Sequence, residues 1–286
     1  MSEQMHTREG IRPPEDSSFL KFLYHNPIGR GLLKLLCARW VSKLAGAFLD
    51  SRLSKPLISR FVKKNGIDLG DFESDGFRCF NDCFCRKIKD GLRPIDPDAD
   101  ALIAPCDGLL SVYKICDDTV MPIKQSAYTV QSLVGDAALA ERYRGGVCLV
   151  FRLCVDHYHR YCYPVSGGKG ENIFLPGKLH TVRPIALQSC PVFVQNCREY
   201  TVMESDRFGS VLQMEVGAML VGKIKNLHSA GKIARGAEKG MFLYGGSTVI
   251  LMLEKDRVTL PDVFFSNTEA GLETPVRMGE KIGESM

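Results

Sequence analysis

No stretch of this sequence reaches the roughly 20 consecutive apolar residues that a membrane-spanning helix requires. No secretory signal opens it, since Met1 to Asp16 is polar and includes Pro13-Pro14. The eleven cysteines are therefore read as reduced thiols, most of them small buried hydrophobes, rather than as a disulfide framework. Cys79, Cys83 and Cys85 cluster, but no second close pair follows at zinc-site spacing, and no metal is expected. The nucleophile elbow Gly-x-Ser-x-Gly is also missing: Val249 stands where its second glycine would follow Ser247. Acids are scarce in one segment. Arg30 to Lys64 holds nine basic residues and Asp50 alone against them, a sum of +8, so the rest of the 286 residues carries 4 − 8 = −4. The total of +4 is modest, and no nucleic-acid partner is expected.

What is present is ordinary globular material, 45% hydrophobic and 24% charged, which argues against disorder. After a loose leader, helical spacing begins at Ser17 or Ser18 with Phe19, Leu20, Phe22 and Leu23, and Asn26-Pro27 breaks it. A second helix is expected from about Gly31 to Leu53, with Leu33, Leu36, Trp40, Leu44 and Phe48 on one face. A third follows Pro56. Apolar and cationic faces side by side suit a helix lying on an anionic membrane, and suit equally a cap packed on the domain. Phe77, Phe80 and Phe84 predict one more helix, ending near Gly91. From residue 101 the character turns to β, with short apolar runs at Leu109 to Ile115, Val147 to Val155, Val192 to Val194, Val211 to Val221, Met241 to Tyr244 and Val249 to Leu253. Long helical patterns between these runs are missing, which argues against parallel βαβ units. The fold class is α+β: N-terminal amphipathic helices (1–95) followed by a mainly antiparallel, sandwich- or barrel-like β domain (96–286).

Three polar stretches stand out. One is Ala104-Pro105-Cys106-Asp107-Gly108, whose Asp-Gly pair is by itself a turn signal. Another runs from Asp156-His157-Tyr158-His159-Arg160 through Cys162 to Gly167, directly after a strand. The last is Tyr244-Gly245-Gly246-Ser247-Thr248-Val249-Ile250, a hydroxyl between two glycines and a β-branched run. Alone, each reads as a turn or a polar loop. Together Asp107, His159 and Ser247 supply a nucleophile, a base and an orienting carboxylate, and such sets occur in several chain orders. A serine hydrolase using the same residues is one alternative. A non-enzymatic membrane-binding module is another.

From residue 18 to the end, the chain resembles the phosphatidylserine decarboxylase proenzymes. More narrowly, it resembles the bacterial branch that carries Gly-Gly-Ser-Thr where others have Leu-Gly-Ser-Thr. The resemblance rests on ordered pieces: Trp40-Val41-Ser42-Lys43-Leu44, Phe80-Asn81-Asp82 with Arg86, Pro105-Cys106-Asp107-Gly108, Tyr158-His159-Arg160, Gly177-Lys178-Leu179, Asn196-Cys197-Arg198, Val216-Gly217-Ala218, Lys239-Gly240-Met241-Phe242, Gly245-Gly246-Ser247-Thr248 and Val276 to Gly283. It implies a zymogen of phospholipid biosynthesis that cuts itself between Gly246 and Ser247. The products would be a β chain, 1–246, and an α chain, 247–286, that stay associated. Ser247 would become a covalent pyruvoyl cofactor and form a Schiff base with the amine of phosphatidylserine. Catalytic roles fall on Ser247, on His159 as base and on Asp107 as its orienter, with Gly245, Thr248 and Cys162 in support and His157 as the second choice of base.

One departure stands in Cys162, where many members of the family carry a second histidine; a role held by that histidine does not transfer to a thiol. A smaller amino-acid substrate is the narrower alternative, and the basic, apolar N-terminal helices speak for a lipid. They imply a peripheral place on the cytoplasmic face of the cell membrane. Arg160, Arg198 and Lys178 are phosphate partners by charge alone. Assembly into a homo-oligomer is left open.

Overall fold

In a computed structural model of the chain, the residues described are 8–13, 16–73, 76–116, 120–123, 126–178, 180–181, 186, 192–218, 223–243 and 247–286. Ser17 caps the first helix, Ser18–His25, by accepting from the Leu20 amide. Pro27 then opens the next, Pro27–Leu36, where a missing N–H carries no penalty.

The single helix expected from Gly31 to Leu53 is two, Pro27–Leu36 and Arg39–Leu49, followed by a 3-10 turn at Arg52–Ser54. The cause is tertiary. Cys37 is buried with its thiol 3.6 Å from His180 Nδ1, and the chain restarts at Ala38 in extended conformation. The five-residue apolar face is thereby divided. Leu33 is buried and Leu36 packs on the core, whereas Trp40, Leu44 and Phe48 are 57%, 64% and 45% exposed. The third expected helix is Pro56–Asn65. The helix expected to run to Gly91 spans only Phe80–Phe84. Just beyond it, buried Arg86 donates to the carbonyls of Cys83, Asp156 and His157 and draws the chain out of helical geometry.

The β half is built on a nine-stranded sheet. Its path runs Gly231–Ile233, Gly167–Lys169, Arg198–Ser205, Gly209–Val216, Ser247–Leu253, Val147–Leu153, Gly108–Lys114, Thr274–Val276, with Ile173–Leu175 pairing onto Arg198–Ser205. Every ladder in it is antiparallel. Smaller sheets flank it, and among the described residues no barrel closes. Val192 to Val194, expected as a strand, is the start of a short helix, Val192–Gln195. Three apolar residues are too few to fix a period.

Alternate residues of the central strands feed two cores, one on each face. Val150, Leu212, Ile250 and Met252 pack with Leu23 and Leu33, so the N-terminal helices close one face. Phe151, Val211, Val249 and Leu251 pack with Tyr161, Phe242 and Phe264 on the other. Among the described residues no helix is long and apolar enough to cross a membrane.

Candidate active site

The strand register brings the three polar stretches to one end of the sheet. Ser247 opens its strand opposite Leu153, the last residue of the neighbouring strand. The next ladder pairs Leu109 with Arg152, which sets Gly108 beside Leu153, and Val276 pairs with Gly108. Asp107 thus enters its strand two strands from Ser247, about 10 Å at the usual strand spacing. The loop from Asp156 to His159 leaves the strand between them.

Ser247 is wholly buried, and its Oγ has no hydrogen-bond partner among the described residues. The Thr248 hydroxyl is in the same condition. A buried polar atom without a partner costs about 1–3 kcal/mol, so the site retains an unfavourable feature. Gly245 and Gly246, the remainder of the motif, lie outside the described residues.

The two histidines are set in opposite tautomers. His159 is buried against Phe84, with ring centroids 4.0 Å apart. Its Nδ1 is 2.9 Å from the His157 carbonyl. A carbonyl only accepts, so Nδ1 carries the proton and Nε2 the lone pair. His157 is the reverse. Its Nδ1 accepts from the Cys154 amide at 3.2 Å, so in the neutral ring the proton sits on Nε2. Burial lowers the His157 pKa, against the opposing charges of Asp156 and Asp107, and favours that neutral ring.

Asp107 is gripped by Arg93, which donates from Nε at 2.8 Å and from a terminal nitrogen at 2.6 Å, and by the Met278 amide at 2.9 Å. The orienting contact to His159 that the sequence reading gave to Asp107 is made instead by the His157 carbonyl. Arg93, Met278 and Phe84 went unread as site residues. Arg93-Pro94 looks like a connector, and nothing in its spacing signals a bidentate partner for a carboxylate. Arg152 also went unread: buried in the strand next to Ser247, it holds Glu273 at 3.0 and 2.5 Å.

Cys162 is buried, its Sγ 3.9 Å from the Ala104 carbonyl, and burial pushes its thiol up to about 12. It keeps its proton at neutral pH. Of the three basic residues picked by charge, Arg198 is taken up by the carbonyls of Leu133, Val194, Asn196 and Ser132. Arg160 holds Glu238 and the Cys85 carbonyl, and Lys178 is exposed. The donor atoms of Cys154, Asp156 and His157 lie within 4.8 Å of one another. Two of these donors are engaged, since Arg152 donates to the Cys154 sulfur and the Cys154 amide to His157.

A cavity of about 670 Å³ opens beside this end of the sheet, with Arg93, Asp107, Asp156, His157 and Arg277 on its wall.

Residues 80–284 match the family model described as phosphatidylserine decarboxylase. The chain is 43% identical over 267 residues to phosphatidylserine decarboxylase proenzyme 2 of Clostridium acetobutylicum, covering 93% of this chain and 91% of that protein. It is 40% identical over 271 residues to the phosphatidylserine decarboxylase proenzyme of Clostridium botulinum strain 657, with 93% and 92% covered. Its identity to the same proenzyme of Clostridium kluyveri is 39% over 271 residues, with the same coverage. With these matches spanning both the helical region and the sheet that carries Ser247, the chain belongs to the phosphatidylserine decarboxylase family.

Proposed function

We propose that this chain converts phosphatidylserine to phosphatidylethanolamine and CO₂ with a pyruvoyl group that it makes from its own Ser247. The observation that carries the self-processing is the buried Ser247 hydroxyl, without a partner among the described residues, in the family's Gly-Gly-Ser-Thr motif. In this reading the Oγ attacks the Gly246 carbonyl carbon while His159 Nε2 takes the hydroxyl proton and returns it to the departing amide nitrogen. The peptide becomes an ester. Loss of the Ser247 Cα proton then expels the Gly246 carboxylate, and addition of water with release of ammonia leaves the pyruvoyl group. The site fits that group. Conversion removes a buried hydroxyl that has no partner among the described residues, and Val249, Leu251 and Phe242 keep the same face of the strand dry. When formed, the pyruvoyl carbonyl supplies the electron sink that accepts the pair released with CO₂. His159, its Nδ1 pinned, moves the proton at Nε2. Asp107, held by Arg93, places a carboxylate close enough to His157 to act on its charge.

The lipid substrate is supported by the outer surface of the N-terminal helices. Phe19, Ile28, Trp40, Leu44, Phe48 and Leu53 are all at least 45% exposed, and Arg30, Lys34, Arg52 and Lys55 are exposed among them. This surface suits peripheral attachment to an anionic membrane on the cytoplasmic face, with apolar side chains at the acyl boundary and cations at the headgroups. A soluble substrate gives no reason for such a face.

The cut leaves Ser247–Leu253 between Gly209–Val216 and Val147–Leu153, hydrogen-bonded on both sides, so the α chain stays with the β chain. The test is a carbonyl reagent together with turnover. The purified protein should decarboxylate phosphatidylserine in anionic vesicles, and the reagent should label the 40-residue α chain (286 − 246) and abolish activity. An active enzyme whose fragment begins with a free serine amine overturns the pyruvoyl reading.

A further inference from the structure

The cavity beside Asp107 has a use that the cleavage chemistry leaves open. Three guanidinium groups line it, and two are answered by carboxylates. Arg8 lies 3.1 Å from Glu280, and Arg93 lies 2.6 Å from Asp107. Arg277 lines the cavity, is exposed, and has no ion-pair partner among the described residues. His157 brings a second donor. Because its Nδ1 is held by the Cys154 amide, its neutral ring offers an Nε2–H and no acceptor to whatever enters. A neutral imidazole used in this way is a fixed electrophile, not a shuttle for protons. Glu9 and Asp156 add negative charge to the same wall, which suits a zwitterion better than a bare anion. The cavity reaches Gly108, two strands from Ser247, and the phosphorus of a phosphoserine headgroup is only a few bonds from its amine.

We infer that this cavity seats the phosphodiester of the substrate headgroup, with Arg277 and the Nε2–H of His157 as its donors. The inference rests on the phosphatidylserine reading above and names where that headgroup binds. A guanidinium and a neutral N–H together bind a phosphodiester oxygen pair without taking part in proton transfer.

The binding arm uses the full-length Ser247→Ala protein, which cannot form the pyruvoyl group, titrated calorimetrically with glycerophosphoserine, free serine and inorganic phosphate. Glycerophosphoserine should bind at least tenfold more tightly than either of the others. Adding Arg277→Gln or His157→Leu should weaken it at least tenfold. The turnover arm uses Arg277→Gln with Ser247 intact; exposure of Arg277 makes folding insensitive to this change. Its KM for phosphatidylserine vesicles should rise at least tenfold, with chain cleavage at the wild-type rate. A wild-type KM in Arg277→Gln overturns the inference while leaving the decarboxylase reading in place. Equal affinity for glycerophosphoserine and inorganic phosphate overturns the headgroup assignment. A wild-type protein that neither cleaves nor decarboxylates removes the reading on which the inference stands.

Discussion

His157 and His159 lie two residues apart and hold their protons on different ring nitrogens because their Nδ1 atoms meet different backbone groups. A carbonyl fixes the lone pair of His159 on Nε2, and an amide fixes the proton of His157 there. Replacing His159 by Ala should therefore slow self-cleavage by about 10²–10⁴, the usual worth of a positioned base, with the fold retained. His157→Gln keeps the carbonyl that orients His159 and should cleave at close to the wild-type rate. Time courses of chain cleavage on denaturing gels check both, and the opposite pattern reassigns the base. The depressed pKa of His157 also sets a stability window. The unfolded state takes up a proton near the ordinary value of about 6.5, which the folded state resists, so stability is whole above that pH and falls as pH drops below it. His180, also lowered by burial and by Lys178, acts in the same sense. Thermal melts of Ser247→Ala between pH 8 and 5 should show the loss, less steeply in the His157→Gln background. The histidines were legible as candidates from the sequence. Their tautomers were not, because a backbone partner at 3 Å leaves no mark on residue spacing.

At the scale of elements, the strand Glu238–Leu243 precedes Ser247 in the chain and carries Lys239, wholly buried, into a pair with Glu215 at 2.6 and 2.7 Å. Asn226 closes the group, accepting from Lys239 and donating to Glu215 and Glu199. Removing one partner strands a charge in the core. Lys239→Met should lower stability by about 3–5 kcal/mol, and the double change Lys239→Met with Glu215→Leu should recover most of it, as read by urea unfolding. A single variant as stable as wild type contradicts this account of the pair. The same residues explain why the element was half legible. Only Met241 to Tyr244 reads as a strand by hydrophobicity, because the preceding turn of pattern carries Glu238 and Lys239. The strand Arg198–Ser205 is hidden for the same reason: Arg198, Glu199 and Glu204 mask its alternation, though Arg198 is buried on carbonyls. Strands of plain apolar sequence, Val147–Leu153 and Ser247–Leu253, are where the sequence reading and the structure agree most closely. The helix break at Cys37 lay beyond periodicity altogether, since it depends on what Cys37 and Leu33 pack against.

For the molecule as a whole, the reading joins an outward apolar and basic surface to a dry site at one end of a sheet. Each cation near an anionic surface contributes about 1 kcal/mol, and salt screens it. Flotation on anionic vesicles should weaken at high salt, and in a variant with Arg30, Lys34 and Lys55 changed to glutamine. Equal flotation of both proteins on neutral and anionic vesicles contradicts the electrostatic part. The central claim is that Ser247 is consumed to make the cofactor, and intact mass of the freshly purified chain tests it most directly. The account predicts two species: residues 1–246, and a 40-residue fragment (286 − 246) lighter than its serine-initiated sequence by the change from a serine to a pyruvoyl group, both absent from Ser247→Ala. A single uncut chain of 31.8 kDa in fully active protein contradicts it.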